Sequence, residues 1–315
     1  MRPAPLPVRD GLGPARVRLH VGPVLAELTA RFGEPARAKV LAGEVVDADG
    51  VVVDDATVLT AGSSVYLYRD LPHEVPVPFD IPVLYQDDDI VVVDKPHFLA
   101  TMPRGQHVAQ TALVRLRREL GLPELSPAHR LDRLTAGVLL FTTRRELRGA
   151  YQALFARGLV IKTYLARAAV DPELVLPRLV RSRIVKRRGQ LQAVCEPGIP
   201  NAETLVELLS PHGLYRLAPR TGRTHQLRVH TASLGIPITG DPLYPNVIDV
   251  PPGDFSAPLQ LLAQRIEFDD PLTGVRREFV SRRALAGVHR DVGCQQRFAP
   301  RTDPHRWPGV RPRPS

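Results

Sequence analysis

The chain has 315 residues, 43% hydrophobic and 24% charged, a composition that fits a folded protein with a core and excludes a disordered chain. Its net charge of +9 favours a polyanionic partner, because lysine and arginine release counterions from phosphates. Nucleic acid is the first candidate and an anionic membrane surface the second. The two cysteines, Cys195 and Cys294, form no metal or disulfide pattern. Without an apolar leader or a membrane-spanning run, we expect a cytoplasmic protein.

The N-terminal part of the chain is predicted to contain a tail, a small domain and a linker. Residues 1–16 are rich in Pro, Arg and Gly and are predicted to be disordered. Residues 17–70 form a compact unit with helical spacing over Val24–Phe32, followed by short strands and an Asp49-Gly50 hairpin turn. Four prolines in residues 71–82 predict an extended linker.

The rest of the chain, residues 83–298, is predicted to be one larger domain, followed by a disordered tail at 299–315. It opens with a strand, an acidic turn and a second strand over Val83–Asp94. The apolar run GVLLFTT and the stretch VIKTYLARAAV are predicted strands. Helical patterns cover Ala109–Leu120, Leu147–Ala156 and His225–Ser233, the last with Thr224 as N-cap. Strands with a few inserted helices indicate an α+β fold with a mixed or antiparallel sheet.

The segment HRLDRLTAG, residues 129–137, places Asp132 between two arginines. The nearby positive charges favour the ionised carboxylate. Thr135 and Gly137 indicate a tight turn before a buried strand, where a carboxylate can be presented to a ligand. When this segment is taken alone, a surface aspartate in a salt-bridged loop is the better explanation.

The segment RTGRTHQLRVH, residues 220–230, concentrates polar and basic side chains around a glycine and then enters a predicted helix. The N-terminus of a helix can attract an anion. Arg223 and Gln226 lie in an otherwise apolar domain, where polar groups need partners. A charged helix face is the alternative. His129, His225 and His230 lack a carboxylate or cysteine that would complete a metal site, so no metal is predicted.

The segment VIKTYL places Lys162 and Tyr164 on the same face of a predicted strand. A lysine and a tyrosine arranged in this way can hold a phosphate and stack on a base. A half-exposed strand with an amphipathic tyrosine accounts for the spacing equally well.

Four segments, in their order along the chain, resemble the motifs of the RluA-type RNA pseudouridine synthases. HRLDRLTAG is similar to the catalytic motif of that family, and RTGRTHQLRVH followed by GDPLYP is similar to its second motif. IVVVDKP resembles the first motif and KTYLA the short Lys-x-Tyr element. The resemblance spans residues 83–268, and four motifs in order are far more specific than one.

This resemblance implies an α+β pseudouridine synthase fold with a mixed, mostly antiparallel sheet and flanking helices. It implies an isomerase that needs no cofactor, with Asp132 as nucleophile, Arg223 as its charge partner and Tyr164 stacked on the base. The target uridine would leave its stack to reach the aspartate. The residues implied in substrate binding are His129, Arg130, Arg133, Lys162, Thr221, His225, Gln226 and Arg228.

Two regions depart from the family pattern. After Asp94-Lys95-Pro96 the family usually continues with a glycine and small apolar residues, whereas this chain has His97-Phe98. Residues 17–70 resemble, more weakly, the small αL-type RNA-binding domain that often precedes the catalytic domain. The predicted helix of this domain lacks a basic face, because Glu27 and Glu34 accompany Arg31. A degenerate copy with a structural role and a domain that binds RNA both stay open.

Three other functions compete with an RNA pseudouridine synthase. A non-catalytic RNA-binding protein of the same fold is disfavoured by the intact Asp132, Tyr164 and Arg223. A glycosidase needs two carboxylates that flank one bond, and only one aspartate lies in a motif. A membrane-surface protein would need an amphipathic basic helix, which the sequence lacks. Ribosomal and transfer RNA are both open as substrates, and we expect a monomer.

Overall fold

The computed structural model describes residues 4–20, 22–71 and 73–286. These residues form two compact units: the first comprises the described residues at 4–74 and 102–123, and the second those at 75–101 and 124–286. Residues 102–123, which the sequence assigned to the domain at 83–298, therefore group with the N-terminal residues. The predicted tail at 299–315 lies outside the described residues, and the predicted linker at 71–82 stays a prediction.

The first unit contains short elements around a small apolar core. They are β1 (Ala15–Arg18), β2 (Gly22–Pro23), α1 (Val24–Phe32), α2 (Glu34–Leu41), β3 (Val58–Leu59), β4 (Ser64–Leu67) and α3 (Ala112–Leu120). The helix predicted from the spacing of Val24–Phe32 is confirmed, and its Val24 and Leu28 are fully buried. β1 pairs with β4 and β2 with β3, both antiparallel.

The second unit holds the other helices and strands of the described chain. They are β5 (Val83–Gln86), β6 (Ile90–Lys95), β7 (Ser126–Pro127), β8 (Ala136–Thr142), α4 (Arg148–Ala156), β9 (Ile161–Arg167), β10 (Arg178–Val185), β11 (Val194–Glu196), β12 (Ala202–Ser210), β13 (Leu214–Pro219), α5 (Gln226–Ser233), β14 (Leu261–Asp269) and β15 (Arg276–Val280).

The strands of the second unit form one sheet in the order β11-β10-β12-β13-β9-β14-β8-β6-β5, with β15 added beside β14 and β7 beside β8. β8 and β14 run parallel, and the other neighbouring strands run antiparallel. The predicted α+β fold with a mixed, mostly antiparallel sheet is confirmed. All residues of β8 are buried, because helices and neighbouring strands cover both sides of this apolar run.

β8 and β14 come very close to each other at Gly137. Gly137 is paired with Ala263 and has a φ of 115°, a backbone conformation that is open to glycine and strained for residues with a Cβ. The strand therefore begins directly after the Asp132 turn at a position that only glycine fills without strain.

Several apolar clusters build the core of the second unit, and two of them contain residues of α4 and α5. In one, Tyr151 of α4 packs with Val138 of β8 and neighbouring strand residues. In the other, Leu227 of α5 packs with Tyr215 and Leu217 of β13. The sheet thus fixes α4 and α5 by burial of their apolar sides. Among the described residues, every helix is too short or too polar to cross a membrane.

Candidate active site

Asp132 lies in the turn that leads into β8. The Thr135 N–H donates to the Asp132 carbonyl oxygen at 3.0 Å and closes the turn. The Thr101 hydroxyl donates to the Leu131 carbonyl at 2.8 Å and lies 3.1 Å from the Leu131 nitrogen, so the preceding residue is fixed as well. The Asp132 side chain is 30% exposed. Its backbone is therefore held while its carboxylate can reach a ligand.

The last residue of β6 and the loop that follows it form hydrogen bonds with this turn. Lys95 is fully buried, and its Nζ donates to three carbonyl oxygens, among them that of Arg133 at 3.3 Å. Burial lowers the pKa of Lys95 to about 7, and the charge of Asp132 opposes this shift. His97 Nδ1 lies 2.7 Å from the Leu134 carbonyl oxygen and donates to it. The loop thus binds the backbone on the C-terminal side of Asp132.

Arg228 of α5 is the ion-pair partner of Asp132. Its Nη1 lies 3.9 Å from Asp132 Oδ2, while its Nε and Nη2 donate to the Asp241 carboxylate at 2.7 and 2.5 Å. The Arg228 side chain is 2% exposed and that of Asp241 0%. Burial acts to lower the pKa of Arg228, but the hydrogen bonds and charge of Asp241, with the charge of Asp132, raise it overall.

Tyr164 and Lys162 both lie on β9, as predicted. Tyr164 is paired with Leu217 of β13 and Ala263 of β14, in the middle of the sheet. Burial raises the pKa of Tyr164, and the charge of Asp132 adds to this, so the phenol is neutral. Lys162 Nζ donates to the Thr221 carbonyl at 3.0 Å, and burial lowers its pKa to about 8. The electrostatic effect of Asp132 on Tyr164 connects two of the predicted catalytic residues.

Arg223 has a different environment from the one predicted. It was predicted as the charge partner of Asp132, but its side chain is exposed and its Nε donates to the Asn201 carbonyl at 3.1 Å. Arg228, five residues further on, forms the ion pair with Asp132 instead. Arg223 precedes α5 at the surface, whereas Arg228 lies inside the helix on a buried side.

Thr221 and Gln226, which were predicted to bind substrate, form hydrogen bonds within the protein. Gln226 is buried, and its amide oxygen accepts from the Thr221 hydroxyl at 2.7 Å and the Arg223 N–H at 3.0 Å. Its amide nitrogen donates to Glu203 and Thr204 of β12 at 3.0 and 2.9 Å. This amide therefore fastens the segment before α5 to the sheet.

His225 occupies the N-cap position of α5, where Thr224 was predicted. Its φ of 58° is left-handed, and its side chain does not cap the helix. Instead, Nδ1 lies 2.9 Å from the Tyr244 hydroxyl, which also lies 2.6 and 3.0 Å from the backbone nitrogen and oxygen of Ala193. Burial lowers the pKa of His225, and the charge of Asp132 opposes the shift. The imidazole is thus a neutral group near the aspartate.

His129 and the arginines beside Asp132 differ in exposure. The Leu140 N–H donates to His129 Nε2 at 3.2 Å, and the ring stacks on Phe155 with centroids 4.2 Å apart. Burial lowers the pKa of His129 to about 3, so the ring is neutral and tied to β8 and α4. Arg130 is exposed. Arg133 is half-buried, and burial, together with the charge of Arg228, lowers its pKa.

Three residues of this site were not assigned a role from the sequence: Lys95, Asp241 and Tyr244. All three lie in segments that carried the family resemblance, IVVVDKP and GDPLYP. Their position within these motifs was therefore the available signal. The part of the chain that the structure describes has no group of three or more His, Cys, Asp or Glu side chains placed to hold a metal ion.

The mixed, mostly antiparallel sheet has the fold of a solved pseudouridylate synthase structure. The family described as RNA pseudouridylate synthase matches residues 89–233. An uncharacterized RNA pseudouridine synthase of Synechocystis is 32% identical over 206 residues, which cover 63% of this chain and 70% of the relative. The chain belongs to the RNA pseudouridine synthase family, which confirms the RluA-type resemblance.

This chain covers less than half of the length of two other relatives. The mitochondrial tRNA pseudouridine(32) synthase of Saccharomyces cerevisiae is 36% identical over 183 residues, which are 55% of this chain but 39% of the yeast protein. The chain covers 33% of the human pseudouridylate synthase RPUSD2. The structure of human RNA pseudouridylate synthase domain containing 1 matches 73% of this chain and all of that chain, with 22% identity and a TM-score of 0.54, and so supports the fold.

Proposed function

We propose that this protein is an RNA pseudouridine synthase that converts uridines of ribosomal or transfer RNA to pseudouridine, with Asp132 as the nucleophile. One observation carries the proposal: a partly exposed carboxylate lies on a rigid turn beside a buried arginine, Arg228, and its charge acts on the half-buried phenol of Tyr164. A carboxylate presented in this way can act as a nucleophile on a ligand.

The chemistry needs one nucleophile and no redox partner. The bond between uracil N1 and the ribose C1′ breaks, the base turns, and a bond forms between C5 and C1′. The proton on C5 is lost and N1 gains one, so atoms and electrons balance without an oxidant or a cofactor. Asp132 can attack C1′, attack uracil C6, or assist formation of a glycal. Each route requires the ionised carboxylate and access to a uridine that has left its stack.

The surrounding side chains suit this reaction. Tyr164 offers an aromatic ring for stacking on the flipped base, and its phenol stays neutral because burial raises its pKa. Arg228 supplies the positive charge beside Asp132, the role that the family resemblance implied for Arg223. Arg228 is the better choice, because a buried guanidinium keeps its orientation and its charge is screened less by salt.

Basic side chains around the site favour RNA. Arg130 is exposed directly before the catalytic turn, and the β10–β11 hairpin carries further exposed cations: Arg178, Arg181, Arg183, Lys186, Arg187 and Arg188. Such side chains hold phosphates and position the RNA without reading its sequence. We propose a monomer in the cytoplasm. The yeast relative is named as mitochondrial, which is a property of that protein.

The surroundings of Asp241 disfavour a glycosidase. Glycosidases place two carboxylates on either side of the bond that breaks. Asp241, the second carboxylate near Asp132, has no exposed surface and is bound to Arg228 at two positions. It therefore cannot serve as an acid or base toward a bound sugar.

Pseudouridine mapping tests the proposed function. Pseudouridines are mapped in total RNA from cells with the gene, without it, and with the gene restored. We expect at least one ribosomal or transfer RNA position to lose its pseudouridine on deletion and to regain it on restoration. An identical map in all three strains would contradict the proposal and would favour a non-catalytic RNA-binding protein.

A further inference from the structure

We propose that Asp241 is a positioning residue for catalysis, which holds the Arg228 guanidinium in the orientation that presents Nη1 to Asp132. The inference deepens the proposed function, because it rests on Asp132 as the reacting group. It gives a role in the reaction to a carboxylate that cannot itself touch the substrate.

The contacts of the guanidinium show how its orientation is fixed. Asp241 occupies one edge of the planar group, with Oδ2 at Nε and Oδ1 at Nη2. This bidentate arrangement is the most directional contact available to arginine. The remaining nitrogen, Nη1, then faces Asp132 at 3.9 Å, which is an ion pair without a direct hydrogen bond. The Tyr244 ring lies 5.2 Å from the guanidinium carbon and adds a cation–π contact.

Asp241 is itself fixed by backbone contacts. Its Oδ1 accepts from the N–H groups of Leu243 and Tyr244 at 2.8 and 3.2 Å. The preceding Gly240 has a φ of 73°, and a Cβ there would lie 2.6 Å from the Pro258 carbonyl oxygen. The loop that carries Asp241 therefore has one closely packed conformation. The position of the carboxylate is determined before any ligand binds.

The two carboxylates near Arg228 have different functions: Asp241 pairs with the guanidinium, and Asp132 acts on the substrate. Arg228 is buried and charged, so it needs a negative partner. With Asp241 in place, Arg228 can stay near Asp132 without forming a bidentate pair with it. Asp132 therefore keeps free oxygen lone pairs for the substrate. Without Asp241, Asp132 becomes the nearest carboxylate, and the guanidinium is expected to turn.

The test compares Asp241→Asn with a matched control, Asp270→Asn. Asp270 is a buried carboxylate of the same unit, with 2% side-chain exposure, an arginine partner in Arg277 at 3.3 Å, and a hydrogen bond from Tyr151 at 3.0 Å. The assay measures kcat and KM for pseudouridine formation in total RNA from the deletion strain, and Tm by circular dichroism. Crystal structures of both variants give the separation of Arg228 Nη1 and Asp132 Oδ2.

We expect Asp241→Asn to lower kcat roughly 100-fold, the cost of a misplacement of about 1 Å, with KM changed less than about threefold. Its structure should show the Nη1–Oδ2 separation changed by about 1 Å. Asp270→Asn should lower Tm and leave kcat and this separation unchanged. Equal kcat in the two variants, or an unmoved guanidinium in Asp241→Asn, would overturn the proposal.

A second variant covers the case in which Asp241→Asn does not fold. Asp241→Glu keeps the charge and the partner of Arg228, but its longer side chain displaces the guanidinium. We expect a folded protein with a somewhat lower Tm and a reduced kcat, and a wild-type kcat would refute the positioning role. If the wild-type protein converts no uridine, the proposed function fails. The crystal structures then decide the positioning claim separately.

Discussion

Substitution of Gly137 by alanine tests how the Asp132 turn is joined to the sheet. A Cβ at this position would lie 2.1 Å from the Ala263 carbonyl oxygen and 2.7 and 2.8 Å from other backbone atoms of Ala263. Neighbouring backbone atoms of a buried strand cannot yield as a flexible side chain does. The φ of 115° is also unfavourable for alanine.

The expected loss of stability follows from these two effects. The strained backbone costs about 2 kcal/mol. Separation of β8 from β14 at this point weakens two or so buried hydrogen bonds, each worth about 1 kcal/mol. The total of about 4 kcal/mol corresponds to a Tm lower by about 8–16 °C for a unit of roughly 200 residues. Thermal unfolding followed by circular dichroism measures the change.

Gly149 provides the matched control. It lies in α4, where an added Cβ would meet nothing within 4 Å. Gly149→Ala should leave Tm unchanged or raise it slightly, because alanine favours a helix by up to about 1 kcal/mol. A Tm for Gly137→Ala within about 2 °C of the wild type would refute this account of the contact between β8 and β14.

Three further predictions follow from the buried and basic groups. The pKa of His230 is lowered to about 4 by burial, so the unfolded chain binds a proton that the folded chain rejects as the pH falls below about 6.5. His230 should therefore lower the free energy of unfolding by about 2 kcal/mol between pH 7.5 and about pH 5. In urea unfolding, the free energy of His230→Gln should fall by about 2 kcal/mol less than that of the wild type over the same pH range, and an equal fall would contradict this. Lys95→Met leaves three carbonyl oxygens without their donor and should lower the free energy of unfolding by about 3 kcal/mol. Urea unfolding measures this change, and an unchanged midpoint would show that these hydrogen bonds do not stabilise the fold. Alanine at both Arg187 and Arg188 should weaken RNA binding and flatten its dependence on salt in a filter-binding assay, and an unaltered slope would exclude these side chains as phosphate contacts.

The sequence predicted those elements whose pattern is local. The period of Val24–Phe32 gave α1 with its observed bounds, and the apolar run after Asp132 gave the buried strand β8. In contrast, α2 was missed, because Glu34–Leu41 follows a glycine and has no marked apolar side. Contacts between distant segments were also invisible: Arg117 donates to the Gly11 carbonyl at 3.2 Å, within a unit that combines residues 1–74 with 102–123.

The sequence predicted several residues of the candidate site but did not predict which of them contact each other. Asp132 and Tyr164 were singled out by motif, and in the folded chain burial, together with the charge of Asp132, raises the pKa of Tyr164. The choice between Arg223 and Arg228 depends on which arginine lies on the buried side of α5, and the spacing of residues does not reveal this. Lys95 was passed over because lysine is rarely buried, and its burial depends on three carbonyl oxygens that converge only in the folded chain.

The most direct test of the central claim is the activity of Asp132→Asn. Asparagine keeps the size of the side chain and one acceptor oxygen but loses the charge and the nucleophilicity that each route requires. Wild type and variant are compared at equal concentration on total RNA from the deletion strain, with pseudouridine measured after digestion to nucleosides. Circular dichroism tests whether the variant is folded, and a filter-binding assay tests whether it still binds RNA. The account predicts that the folded variant binds RNA and forms no pseudouridine, whereas conversion at the wild-type rate would contradict it.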